Sequence, residues 1–446
     1  MERDLKKKIL LCLLIAALAA CFTGCGRLSS SAAKEAVAPP PAAPLPANSE
    51  APETAIRFLE DRVRRDPDDF IAFNKLAGYY LQRQRETGSV NYLTLAAKAA
   101  KASLAAMPAE QNVGGLGQLA LTEFASHEFT SARDHAMKLI ELERKKAYPF
   151  QILGDALSEI GEYDKAITAY AKMIEIGGRS VSGETRLARA DLLRGNTDGA
   201  IERLTFALAL ASAQDPPPRE TIAWIRWQLG EIAFSMGDYA KAEQHYRDAL
   251  TTFADYYRAL AGLGRALAAK GDLTGAIESY ERAVQIIPDP SFMAALGDLY
   301  KIAGRDQEAA AEYALVEQIA KLNAANGMLY NRQIALFYAD HDTRLDEAYA
   351  QARREYNDRR DIYGADALAW TAMKAGKTSE AQAAMKEALR LGTRDARLFY
   401  HAGLIAQAAN DSQSAREFLK RALALSPQFD ALQATKAKQA LAALGE

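Results

Sequence analysis

Cysteine is nearly absent from this chain and is confined to one end. Cys12, Cys21 and Cys25 are the only cysteines among 446 residues, and none follows position 25. A disulfide framework or a cysteine-based zinc site is therefore excluded for the body of the chain.

An excess of charge of either sign is also missing. The chain has 55 Lys and Arg against 57 Asp and Glu, a net charge of −2 and a pI near 6.3. Nucleic-acid-binding domains usually carry a strongly basic patch or a high pI. We therefore expect no nucleic-acid partner.

Sequence motifs for catalysis or metal binding are lacking as well. The five histidines form no HExxH pair, and no phosphate-binding loop, GxSxG or calcium loop occurs. Residues 115–120 superficially match a dinucleotide-binding glycine pattern, but no strand precedes them. The carboxylates of residues 66–69 are expected to cap a helix. We expect no enzyme activity, metal, cofactor or small-molecule substrate; an enzyme with an unrecognised site is the least favoured alternative.

The N-terminus has the pattern of an export signal. Residues 1–8 are basic on balance, and residues 9–20 form an apolar run that ends in small residues. This order is typical of a secretory signal peptide. The run is shorter than the roughly 20 residues that a membrane span needs. We assign residues 1–20 to a signal peptide; a permanent transmembrane anchor is the weaker interpretation.

The segment LAAC, which ends at Cys21, resembles a bacterial lipobox. The resemblance implies that Cys21 is lipidated and anchors the protein to a membrane, facing the periplasm or the cell exterior. The segment FTGC makes Cys25 the alternative, and a plain signal peptide that happens to contain cysteines is a third possibility. Neither cysteine is followed by Asp, which resembles an inner-membrane retention signal. We therefore expect the outer membrane, if the organism has one.

Residues 21–54 are rich in Pro, Ala and Ser and poor in large apolar side chains. Such a segment buries too little surface to offset its ordering entropy, and its prolines keep it extended. We predict that residues 21–54 form a lipidated N-terminus and a disordered tether.

From residue 69 onward one pattern recurs, mostly every 34 residues. Residues 257–286 show it: two stretches with apolar residues at helical spacing, broken at Gly271 and ended by Pro288. Small residues recur at the eighth position of each unit, and Ala recurs at the twentieth. Only small residues let two helices approach closely there, while large residues four positions after the alanine are expected to fill gaps between units. The eighth positions are Ala77, Ala120, Gly154, Ala188, Gly230, Gly264, Gly297, Ala335, Ala369 and Gly403.

The period, the Leu-Gly at positions seven and eight, the alanine at twenty and the proline at thirty-two resemble the tetratricopeptide family over about residues 69–429. The resemblance implies an all-α, right-handed superhelical solenoid of about ten antiparallel helix pairs. End helices are expected near residues 55–66 and 430–444, so that the folded body spans residues 55–444.

In that family the first helices of successive units line a concave face that binds polypeptides. Aromatic and Arg side chains dominate binding hot spots, so eight residues are candidates for contacting a partner there. These concave-face candidates are Arg186, Arg189, Trp224, Trp227, Arg258, Arg265, Tyr363 and Trp370. The alternative for Trp224 and Trp370 is packing between neighbouring units.

Taken together, these patterns indicate a membrane-tethered scaffold that binds a protein or peptide on the extracytoplasmic side of a bacterial envelope. An extracytoplasmic chaperone or adaptor for assembly of a client enzyme or secretion complex is the alternative. Neighbouring genes would discriminate between the two.

Overall fold

The computed structural model describes residues 50–325 and 332–445. The predictions for the signal peptide, for Cys21 and Cys25 and for most of the tether lie outside these residues. The described part holds 22 helices and no strand. They are α1 (Glu50–Arg65), α2 (Phe70–Thr87), α3 (Val90–Ala106), α4 (Val113–Ala125), α5 (Phe129–Leu142), α6 (Tyr148–Ile160), α7 (Tyr163–Gly177), α8 (Val181–Leu193), α9 (Thr197–Ser212), α10 (Arg219–Ser235), α11 (Tyr239–Thr252), α12 (Tyr257–Ala269), α13 (Leu273–Ile286), α14 (Pro290–Ile302), α15 (Asp306–Ala325), α16 (Arg332–Asp340), α17 (Leu345–Asp358), α18 (Ile362–Lys374), α19 (Thr378–Ala388), α20 (Ala396–Ala408), α21 (Ser412–Leu425) and α22 (Gln433–Ala443).

The helices form ten consecutive antiparallel pairs, numbered here pair 1 (α2–α3) to pair 10 (α20–α21), and each pair packs on the next. The predicted all-α row of helix pairs is confirmed. Helices α1 and α22 flank the row. Helix α1 begins at Glu50, within the segment that the sequence assigns to the tether.

The turn inside pair 6 follows from two adjacent residue types. In pair 6, Gly271 has a φ of 88°, a left-handed conformation that a residue with a Cβ rarely adopts. Next to it, the Asp272 carboxylate accepts a hydrogen bond from the Gly275 backbone N–H at 2.9 Å and caps α13. A helix stop and a helix start are thus encoded within two residues.

The small residues at the eighth position do allow close packing, but the large residues sit differently from the sequence expectation. A Cβ on Gly264 would lie 2.5 Å from Cδ2 of Tyr280, a residue of the same pair. Tyr246 fills space inside its pair and between pairs, because a Cβ on Gly230 or on Gly262 would lie 2.5 or 2.6 Å from its Cε1. The tyrosines therefore pack within a pair as well as between pairs.

The row of pairs curves back onto itself. The Tyr163 hydroxyl, at the turn of pair 3, accepts a hydrogen bond from the Ile362 backbone N–H at 2.8 Å, just after pair 8. Thr393, which follows pair 9, donates to the Leu193 carbonyl at the turn of pair 4. Gln428, which follows pair 10, donates to the Tyr239 hydroxyl of pair 5 at 2.8 Å. The turn of each of these pairs thus meets the segment that follows the fifth pair after it, and we call this line of contacts the seam.

A buried ionic network reinforces the seam. Glu159 of pair 3 accepts hydrogen bonds from Arg189 of pair 4 and from Arg359, which follows pair 8. Burial alone would raise the pKa of Glu159, but the two guanidinium groups lower it to about 2. The carboxylate is therefore ionised and paired at neutral pH.

Candidate functional site: the central cavity

The first helices of pairs 5 to 10 surround a cavity of about 840 Å³, which we call the central cavity. It runs along the full length of α12, since residues from Arg258 to Ala269 line it. Aromatic side chains and charges of both signs share its surface. The aromatic lining residues are Trp227, Phe234, Tyr280, Phe292, Tyr363 and Phe429; the charged ones are Glu231, Arg258, Arg265, Asp298, Arg332, Asp366, Asp395, Arg397 and Asp430.

One wall of the cavity, built by α10, α12 and α14, stacks arginines on aromatic rings. The Arg258 guanidinium carbon lies 5.4 Å from the centre of the Trp227 ring, and that of Arg265 lies 4.2 Å from the Phe234 ring. The two aromatic residues are seven positions apart on α10, and the two arginines are seven positions apart on α12. The two stacks are therefore separated by about 10.5 Å along the helices. We call this surface the arginine–aromatic wall.

Arg265 is held by a carboxylate of the preceding pair. Its guanidinium donates to Glu231 at 2.6 Å, and the Tyr246 hydroxyl donates to the other oxygen of Glu231, also at 2.6 Å. Burial alone would lower the pKa of Arg265, but the Glu231 carboxylate keeps it well above its usual value. Arg265 therefore carries its charge, and that charge is largely balanced within the protein.

The same arrangement recurs along the solenoid. Asp155 accepts from Tyr170 of its own pair and from Arg186 of the next pair at 2.7 Å. Asp298 accepts from Tyr313 at 2.7 Å and from His341 of the next pair at 2.8 Å. Such charge-assisted hydrogen bonds are stronger than neutral ones, so they hold successive pairs in register. The sequence signal that could have revealed this network is the Asp or Glu directly after the glycine at position eight, as in Asp155, Glu231 and Asp298.

The opposite wall is built by α16, α18, α20 and residues 426–431, which precede α22, and its charged side chains pair with one another. Arg332 pairs with Asp361 at 2.7 Å and with Glu355 at 2.8 Å. Arg397 pairs with Asp430 at 2.8 Å. His401 contacts Asp366 at 2.8 Å, and Asp395 caps α20 by accepting from two backbone N–H groups. The charged side chains of this wall thus already have ionic or hydrogen-bonding partners within the protein.

Four of the eight concave-face candidates line the central cavity. They are Trp227, Arg258, Arg265 and Tyr363. Arg186 and Arg189 lie one pair earlier and are engaged with Asp155 and Glu159. Trp224 is half-buried and packs against the cluster that contains Tyr256.

Trp370, which the sequence predicts to contact a partner on the concave face, is buried instead. Its side chain is 0% exposed. The indole N–H donates to Asp340 at 2.9 Å, and the ring stacks on His401 at a centroid distance of 4.2 Å. Trp370 therefore packs between pairs 8, 9 and 10 and is not available to a partner. This matches the packing alternative weighed for it.

Within residues 50–325 and 332–445, no group of three or more His, Cys, Asp or Glu side chains is placed to hold a metal ion. None of the helices in this described part is both long and apolar enough to cross a membrane.

The solved structures to which this chain is similar include two that are titled as crystal structures of MamA. One shares 24% sequence identity with this chain at a TM-score of 0.32, covering 39% of this chain and 97% of that one. The other shares 20% identity at a TM-score of 0.30, covering 40% of this chain and 93% of that one. None of the curated proteins compared with the chain matches it.

Three family models, each described as a tetratricopeptide repeat, match parts of the chain. One matches residues 228–290 and 367–428, a second matches residues 180–255, and a third matches residues 149–176. The matched stretches coincide with helix pairs that carry the small residue at position eight and the alanine at position twenty. The chain therefore contains tetratricopeptide repeats, stacked as ten helix pairs in one row.

Proposed function

We propose that this protein is a membrane-tethered scaffold that holds a partner polypeptide in its central cavity, on the extracytoplasmic side of a bacterial envelope. The observation that carries the binding role is the arginine–aromatic wall. Trp227 and Arg258 are only partly covered by their own protein, and they line a cavity of about 840 Å³. Tetratricopeptide repeats are protein-interaction modules, and aromatic and Arg side chains in a concave surface are the typical anchors of protein interfaces.

The tether rests on the sequence of the first 54 residues. A basic start, a short apolar run and the LAAC segment at Cys21 fit an exported lipoprotein. The Pro- and Ala-rich stretch that follows would hold the helix pairs away from the lipid surface. Acyl chains contribute about 0.8 kcal/mol for each buried CH₂ group, so a multiply acylated cysteine anchors firmly.

Partner capture tests the binding role. Full-length protein is cross-linked in cells of its source, solubilised and purified, and the captured polypeptides are quantified by mass spectrometry. Trp227→Ala should reduce capture at least tenfold, because truncating a hot-spot aromatic costs about 2 kcal/mol or more. Phe206→Ala is the matched control, since Arg179 stacks on Phe206 at 3.8 Å on the second helix of pair 4, outside the cavity lining.

Two outcomes would contradict this role. Equal capture by wild type and Trp227→Ala would exclude Trp227 as an anchor. If Trp227→Ala lowers the helical content or the melting temperature while capture per folded molecule is unchanged, the tryptophan is a core residue. The tether, or the loop at residues 215–218 between α9 and α10, would then be the better candidate surface.

Metabolic labelling with a radioactive fatty acid tests the tether. Cys21→Ser should abolish the label and move the protein to the soluble fraction. A label that disappears only when Cys25 is also replaced would assign the lipid to Cys25. A label and a fractionation pattern unaffected by both changes would refute the lipoprotein proposal.

A further inference from the structure

The positively charged side chains around the central cavity differ in whether they already pair with a carboxylate of the protein. On the wall formed by α16, α18, α20 and residues 426–431, Arg332 and Arg397 each contact a carboxylate of the protein, and so does the buried His401 of α20. On the arginine–aromatic wall, Arg265 is paired with Glu231. Among the described residues, no carboxylate oxygen lies within 4.0 Å of the guanidinium of Arg258. Of the arginines that line the cavity in the described part of the chain, Arg258 is thus the one that lacks an ion pair.

The surroundings of Arg258 favour its use as an anion contact. Its guanidinium lies between the rings of Trp227 and Tyr257, at 5.4 and 5.2 Å from their centres. An arginine flanked by rings loses little additional freedom when it binds, and the rings exclude water from the contact. Its side chain is nevertheless exposed to the cavity. A ligand carboxylate at this point would give Arg258 the ion pair that the other arginines lining the cavity already form with carboxylates of the protein.

The opposite end of the same wall is apolar. The first helices of neighbouring pairs run in the same direction, so the cavity has an N-terminal rim at Arg258 and a C-terminal rim at Ile302. Ile302 is 47% exposed, and Leu273 and Ala269 line the cavity beside it. Along α12, the distance from Arg258 to Ala269 is about 16 Å, at 1.5 Å per residue. An extended polypeptide covers this distance in about five residues.

We propose that the arginine–aromatic wall binds an acidic polypeptide segment in which an Asp or Glu, held by Arg258, lies about five residues from aliphatic side chains that pack at Leu273 and Ile302. This inference rests on the proposed function and specifies its ligand. Charge complementarity selects a carboxylate at one rim, and the exposed apolar surface selects aliphatic groups at the other. A polysaccharide with carboxylates along its whole length would match the first rim and not the second.

Binding of synthetic peptide pools to the purified full-length protein tests this arrangement by fluorescence anisotropy. Each pool has ten residues: three head residues, four small residues and three residues drawn from Leu, Ile and Val. The heads are Asp and Glu in the first pool, Asn and Gln in the second, and Lys in the third. The acidic pool should bind at least about tenfold more tightly than the amide pool, and the lysine pool most weakly. Raising the salt concentration should reduce the preference, because screening weakens the ionic contact.

Variants locate the contact. Arg258→Gln should remove the preference for the acidic pool, so that the acidic and amide pools bind with equal affinity. Arg421→Gln is the matched control, since Arg421 also stacks on aromatic rings, those of Phe399 and Phe418, but on the second helix of pair 10 and away from the cavity. Ala295→Trp, which fills the cavity beside α14, should block every pool. Thermal unfolding confirms that each variant is folded.

The outcomes separate this inference from the function on which it rests. Equal binding of acidic and amide pools, blocked by Ala295→Trp, would overturn the acidic assignment and leave the cavity as a polypeptide site. An acidic preference that survives in Arg258→Gln would also overturn it. If polygalacturonate displaces the acidic pool at lower carboxylate concentration than the peptides themselves, the ligand is a polyanionic glycan and the inference is wrong. Failure of all three pools to bind would contradict both proposals.

Discussion

Replacing Gly264 should destabilise the middle of the solenoid, because the space for a side chain there is already occupied. A Cβ at this position would lie 2.5 Å from Cδ2 and 2.9 Å from Cε2 of Tyr280, and 3.0 Å from the Ala276 carbonyl oxygen. Tyr280 is 7% exposed and is enclosed by the core of pairs 5 to 7, so its ring has little room to move. Overpacking of this kind costs about 1–3 kcal/mol, occasionally more. In an open helical site, by contrast, Gly→Ala gains roughly 0.5–1 kcal/mol.

We therefore expect Gly264→Ala to lose about 1 kcal/mol of stability and Gly264→Leu to lose about 3 kcal/mol or more. Gly78→Ala is the control, since a Cβ there meets only the Gln118 side chain at an ordinary 3.6 Å; it should be neutral or slightly stabilising. Urea unfolding followed by circular dichroism gives the size of the effect, and hydrogen exchange gives its location. Repeat arrays couple mainly to nearest neighbours, so faster exchange should concentrate in pairs 5 to 7. Exchange that increases uniformly along the array, or a Gly264→Leu protein as stable as wild type, would refute the reasoning.

Three further predictions concern the seam and the core. Arg359→Ala removes a guanidinium from the buried Glu159 carboxylate, so the seam should loosen and the radius of gyration in small-angle X-ray scattering should increase at constant helical content; an unchanged radius would contradict this. Because the folded pKa of Glu159 is lowered from 4.5 to about 2, its stabilisation is complete above about pH 4.5 and is lost as the pH falls towards 2. Glu159→Gln should remove on the order of 3 kcal/mol from the pH dependence of urea unfolding over that interval, and parallel curves for both proteins would exclude this role. Trp370→Ala should cost about 3–5 kcal/mol and accelerate hydrogen exchange in pairs 8 to 10, whereas normal exchange there would show that the indole is dispensable.

The helix pairs could be predicted from the sequence because their determinants are local. A glycine at the turn, a capping Asp beside it and a small residue at position eight act within one 34-residue unit, as Gly271, Asp272 and Gly264 do in pair 6. The small residue at position eight recurs in all ten units, so the repeat is recognisable even where the turn glycine is missing, as at Asn410 of pair 10. The assignment of first-helix residues to the concave face was also based on local pattern, and four of the eight candidates line the central cavity: Trp227, Arg258, Arg265 and Tyr363.

Which of these side chains are free was decided by contacts between units. Trp227 and Trp370 both lie on first helices, but His401 of the next pair stacks on Trp370 and Asp340 of the previous pair binds its indole, while Trp227 remains partly open to the cavity. Arg265 and Arg258 both lie on α12, yet only Arg265 meets a carboxylate of the preceding pair. The sequence pattern within one unit does not predict which side chains of the adjacent unit will contact it.

The seam depends on the tertiary structure even more completely. The angle between successive pairs is small, and the closure of the row results from adding it over five pairs. Small differences in side-chain volume at each interface change that angle. The contacts of Glu159 with Arg359 and of Tyr163 with Ile362, each between residues about 200 positions apart, therefore cannot be inferred from the 34-residue repeat. The sequence by itself determined the helix pairs and their order, because those depend on contacts within a unit. The tertiary structure decided that the pairs enclose a cavity and which of its arginines, among the described residues, lacks an ion pair, because both depend on the accumulated geometry of many interfaces.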